Sequence, residues 1–101
     1  MTYEVVTLES AQKELQQIID YLCGALKSAQ AAKSFMDEFE AQIALIEENP
    51  ELFALSRMPE LAIKGYRVAL IKNYGMLYTL REEKMYVAHF FHQRQDYARL
   101  I

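Results

Sequence analysis

The final stretch of the chain holds three short apolar runs, at residues 64–71, 74–80 and 85–91, with gaps too short for anything but antiparallel hairpins. Asn73-Tyr74-Gly75 is expected to form the first turn and Glu82-Glu83-Lys84 the second. A three-stranded meander of this size cannot bury its own apolar surface, so the residues before it must supply a covering layer.

Those residues read as one strand and two helices. Residues 2–7 alternate, with Tyr3 and Val5 on one face and Glu4 and Val6 on the other. Thr7 or Ser10 is expected to cap a helix of about five turns. Leu8, Ala11, Leu15, Ile18, Ile19, Leu22 and Leu26 form its apolar stripe, and Cys23 lies on that stripe as a small buried residue. Gly24 and Ser28 flank a break, and Ser28 caps a second helix carrying Ala32, Phe35, Met36, Phe39, Ile43 and Ile46 at helical spacing. That helix stops at Asn49-Pro50. A loop over residues 50–62 is pinned by Leu52, Phe53 and Leu55, and residues 96–101 make a short tail with one helical turn.

The expected fold is therefore α+β, in the order β-α-α-β-β-β. A helical hairpin packs on one face of a small antiparallel sheet, and the other face is open to solvent or to a partner. Residues 1–101 make one domain, because two would each be too small to bury a core.

Charge divides the chain. Beyond residue 60, Lys64, Arg67, Lys72, Arg81, Lys84, Arg94 and Arg99 face only Glu82, Glu83 and Asp96. The first sixty residues carry Lys13, Lys27, Lys33 and Arg57 against eleven acids, and the whole is −3. Such asymmetry points to a partner on one face. No run approaches the roughly 18 apolar residues of a membrane span. The start has neither the basic nor the apolar region of a secretory signal, so a cytoplasmic protein is expected. A single cysteine rules out an internal disulfide and, far along the chain from the two histidines, makes no zinc site. Three isolated glycines build no phosphate loop, so no cofactor is expected.

The order of elements, Gly65-Tyr66-Arg67 opening the second strand, the Tyr-x-x-x-Tyr third strand and the ending His92-Gln93-Arg94-Gln95-Asp96-Tyr97 resemble the RelE/ParE superfamily. Its members are toxins of bacterial type II toxin–antitoxin pairs. The resemblance implies a cognate antitoxin, whose disordered segment folds around the toxin into a joint oligomer, and a target. RelE-like members cut mRNA in the ribosome. Arg67 and Arg94 match the two arginines of that branch, and His92 or Tyr97 would move protons. The lysine pair of that branch is missing, with Met58 and Glu60 near its place, and the chain ends Arg99-Leu100-Ile101 without the terminal tyrosine. ParE-like members bind DNA gyrase and perform no chemistry, and the His-x-Arg-x-Asp ending is closer to theirs. A weakly toxic binding module is a third outcome.

On either branch Arg67 and Arg94 are the expected target contacts, with Lys64, Lys72 and His92 beside them. The blander alternatives are an ion pair from Arg67 to a helix glutamate and one from Arg94 to Asp96. His89, within an apolar run, is expected to be a hydrogen-bonded sheet histidine. Tyr66, Tyr74, Tyr78 and Tyr86 offer base-stacking rings, although tyrosine is also simply favoured in strands.

Overall fold

A computed structural model describes residues 3–92. The elements are β1 (Glu4–Thr7), α1 (Glu9–Asp20) with a π-helical turn at Tyr21–Ala25, α2 (Ala29–Glu48), the short α3 (Pro59–Ala62), β2 (Arg67–Ile71), β3 (Tyr74–Arg81) and β4 (Lys84–His92). The fold class and the order of the long elements are as the sequence predicts. The tail expected at 96–101 lies outside the described residues.

The sheet runs β1-β4-β3-β2 and is mixed rather than purely antiparallel. β2–β3 and β3–β4 are antiparallel hairpins, but β1 lies parallel to β4, with Glu4 opposite Lys84 and Thr7 opposite Val87. Both hairpin turns have two residues rather than three. Lys72 and Asn73 link Ile71 to Tyr74, and Glu82 and Glu83 link Arg81 to Lys84. Glu82 and Glu83 both have positive φ, the geometry of a type I′ turn built without its usual Asn-Gly.

One face of the sheet holds the main core. Ala69 and Ile71 of β2, Met76 and Tyr78 of β3, and Met85, Val87 and Phe90 of β4 pack under Ala11, Ile18 and Leu22 of the first helix and Ala32, Phe35 and Ile46 of α2. Ser28 caps α2 as expected, accepting from the Ala31 N–H at 3.0 Å. The cap of α1 differs. Leu8 occupies it without a side-chain bond, and Ser10 lies inside the first turn with its hydroxyl bonded to the Ala88 carbonyl. The π turn adds a residue to the helical step, so positions after Leu22 fall behind the apolar stripe. Leu26 is consequently exposed, and Cys23 is exposed rather than buried.

The second face is covered in part, contrary to the expected open sheet. Leu61 of α3, with Met58, Tyr66 and Val68, packs on Leu77 and Phe91. Phe53 reaches the main core, but the Leu52 and Leu55 side chains are exposed instead of buried in it. At this face Gly75 sits directly opposite Phe91, whose ring occupies the space that a Cβ would need.

α1 also completes the sheet. β1 ends opposite Val87, where the Leu8 N–H bonds the Val87 carbonyl. Beyond that point two α1 side chains one turn apart take over the β4 edge. The Ser10 hydroxyl donates to the Ala88 carbonyl, and the Glu14 carboxylate accepts from the Phe90 N–H at 3.0 Å. Glu14 also meets His89 Nδ1 at 3.1 Å. A carboxylate only accepts, so that nitrogen carries the proton.

Glu14→Ala strands the Phe90 amide and should cost about 1–3 kcal/mol in urea unfolding, with faster exchange of that amide. Glu9→Ala, on an exposed carboxylate of the same helix, should stay within about 0.5 kcal/mol. Gly75→Ala overpacks against Phe91 and should cost about 1–3 kcal/mol, whereas Gly24→Ala, with open space around it, should gain about 0.5–1 kcal/mol. Installing Asn at 82 and Gly at 83 should relieve the left-handed glutamates and stabilise the fold by about 1 kcal/mol, read as a rise in Tm.

Candidate functional site

Arg67 opens β2 directly opposite Tyr78 of β3, on the face that carries the helices. Its neighbours Ala69 and Ile71 on that face are fully buried. The loop after α2 folds back against the strand here. Leu55 bridges to Arg67, the Ser56 N–H donates to the Tyr66 carbonyl at 2.8 Å, and Arg67 Nη1 donates to the Phe53 carbonyl. The guanidinium is thus held by a neutral oxygen. Among the described residues no carboxylate lies within ion-pair distance of it, so the blander alternative, an ion pair with a helix glutamate, does not form.

Arg67 lines a cleft of about 450 Å³, whose walls include Tyr3, Asn49, Glu51, Leu55 and Leu80. Next to it the Tyr78 side chain is completely buried, and its hydroxyl has no hydrogen-bond partner among the described residues. Burial pushes the phenol up to about 12, against an opposing pull from the nearby Arg67 charge. The ring therefore stays neutral and cannot act as the counter-ion. Full burial also removes Tyr78 from any base-stacking role.

The other candidates lie elsewhere. His92 ends β4 opposite Tyr74, and the two rings meet edge-on at 5.7 Å. Tyr74 in turn packs edge-on against Phe35 at 5.5 Å. Lys72 is exposed in the adjoining turn with a φ of 56°. Lys64 is exposed after α3, at the Arg67 end. Arg67 pairs with Tyr78 and His92 with Tyr74, so four strand residues separate them, about 13 Å along the sheet. Lys72 and His92 thus lie toward one end of the sheet and Arg67 toward the other. Arg94 and Tyr97 lie outside the described residues.

Sequence reasoning missed Phe53 and Tyr78 as the immediate surroundings of Arg67. A two-residue turn at Lys72-Asn73 places Tyr78 opposite Arg67 by simple counting, whereas the three-residue turn expected from Asn73-Tyr74-Gly75 sets Arg67 against Arg81. The Phe53 carbonyl leaves no trace in the sequence. The described residues hold no group of three His, Cys, Asp or Glu side chains fit to bind a metal ion, and no helix long and apolar enough to cross a membrane.

Comparison with known proteins places this arrangement in a wider group. The fold is similar to that of a protein from the chromosomal ParDE toxin–antitoxin system of P. aeruginosa, with a TM-score of 0.68 at 13% identity over 90% of this chain and 96% of the other. It is also similar to a free-state arginine mutant of the E. coli toxin RelE, with a TM-score of 0.62 at 16% identity over 99% and 90% of the two chains. At these identities the likeness speaks for the fold. No curated protein sequence matches the chain. The model of the ParE toxin of the type II toxin–antitoxin system parDE matches residues 5–97, nearly the whole length, and the chain belongs to that family.

Proposed function

We propose that this chain arrests growth by binding a protein target such as DNA gyrase, and that a cognate protein antitoxin restrains it in a joint complex. On this reading it works in the cytoplasm and carries out no reaction of its own. The observation that carries the choice of target is the separation of Arg67 from His92. RNA cleavage needs a proton-transfer group and a cation within about 3 Å of one phosphate. Here those two candidates stand at opposite ends of the sheet, and Arg67 is already bonded to the Phe53 carbonyl.

Net charge supports the same choice. A ribosome-directed nuclease works against a dense phosphate field, which favours a strongly basic surface. This chain is acidic overall at −3. Gyrase binding makes no such demand, since protein interfaces are held by apolar cores with polar rims.

The test is a pulse of the chain in growing bacteria, with RNA 5′ ends, plasmid supercoiling and the DNA damage response followed in one culture. Growth should stop with mRNA intact while supercoiling falls or the damage response rises, and Arg67→Ala should blunt the arrest. New mRNA ends phased to codons, with normal supercoiling, would replace this reading with the ribosome-dependent endoribonuclease. Unimpaired growth would leave only a weakly toxic module that pairs with its antitoxin.

A further inference from the structure

We propose that the cleft beside Arg67 is a receptor for a single carboxylate side chain, presented by a segment of the protein partner. The identity of that partner rests on the antitoxin reading above; the chemistry of the site does not. A guanidinium carries five N–H donors in a planar fork matched to a carboxylate. Arg67 spends Nη1 on the Phe53 carbonyl and meets no acid among the described residues. Partial burial of a cation without a counter-ion is costly, so the fold carries a cost that an incoming acid would offset.

The setting makes the arginine a fixed feature. Cross-strand pairing with Tyr78 holds its backbone, and the Phe53 carbonyl orients its head. Preorganised donors lose little freedom on binding. Leu55 and Leu80 wall the cleft, so a bound ion pair would sit partly out of water, where Coulomb attraction is stronger.

A nucleic-acid phosphate fits less well. A nucleotide strand presents a charge at every step and is held by several cations. Arg67 is the one cation among the described residues lining this cleft, and the Glu51 carboxylate shares its wall, so the cleft has no means of neutralising a strand of several charges. A single acid matches a single arginine in a cleft whose lining mixes polar and apolar side chains.

The experiment uses the full chain, isotope-labelled, and follows the Arg67 Nε–H signal during titration. The probe is a short peptide with one central glutamate between leucines; its controls are the same peptide with glutamine and a hexauridylate RNA. Glutamate peptide should shift the signal, and the glutamine peptide should bind about tenfold more weakly or worse, the cost of a charge-assisted fork. Arg67→Lys, with its fold checked by its amide spectrum, should show a similar loss. Equal binding of the two peptides overturns the carboxylate assignment. Tighter binding of the RNA reassigns the cleft to nucleic acid. Binding that emerges only in Glu51→Gln overturns the proposal too, since the cleft would then be closed by its own acid. None of these readouts depends on growth arrest, so failure of the toxin reading is recognised separately.

Discussion

The parallel contact between β1 and β4 organises everything else in this domain. It joins the beginning of the chain to the last strand over residue separations of about eighty, and it is the one pairing that no short turn can enforce. Its short length matters as much as its presence. Because β1 stops opposite Val87, the rest of the β4 edge needs partners, and the helix that leaves β1 supplies them through Ser10 and Glu14. Those two residues lie one turn apart, matching side chains on one helix face to alternate backbone groups of the strand. The contact also brings Tyr3 to the rim of the Arg67 cleft, so the site is completed by the same pairing that closes the fold.

Much of this was legible in residue patterns and some was not, for a physical reason in each case. The two helices are marked by apolar side chains every three or four residues, which only a buried face explains; Phe35 and Ile46 are indeed almost wholly buried. The hairpins are marked by gaps too short for any other connection. What escaped were features set by tertiary geometry. Parallel pairing of β1 with β4 depends on where a long connection returns. The π turn at Tyr21–Ala25 has no composition signal, yet it turns Cys23 outward. The four-residue α3 is too short to show periodicity, and only its docking of Leu61 onto Leu77 and Phe91 gives it a role.

Register decided the fate of the candidate site. Alternation alone says which residues share a face, but a change in turn length moves every pair along the strand. The positive φ at Lys72 lets a two-residue turn close where glycine would be the usual choice. With that turn, Arg67 faces a tyrosine instead of a second arginine, and the distance to His92 is fixed. The bulge between Leu77 and Tyr78 adds a residue to β4, so Val87 and Phe90, three apart, lie on the same face. Counting from the sequence without that bulge would put Phe90 on the wrong side.

The charge division seen in the sequence persists in the fold rather than cancelling. Helix acids pair with lysines of their own helix, Glu9 with Lys13 and Asp37 with Lys33, in exposed contacts that are worth little and reach no other element. Ion pairs between elements form at the β1–β4 edge, where Lys84 meets Glu4 at 3.9 Å and His89 meets Glu14. Neither extends to the β2 side of the sheet. Among the described residues no helix acid forms an ion pair with Arg67, because the helices turn apolar stripes toward the strand that carries it. The same periodicity that builds the core keeps the helix carboxylates away from the arginine, and on the proposal above an acid from another chain takes their place.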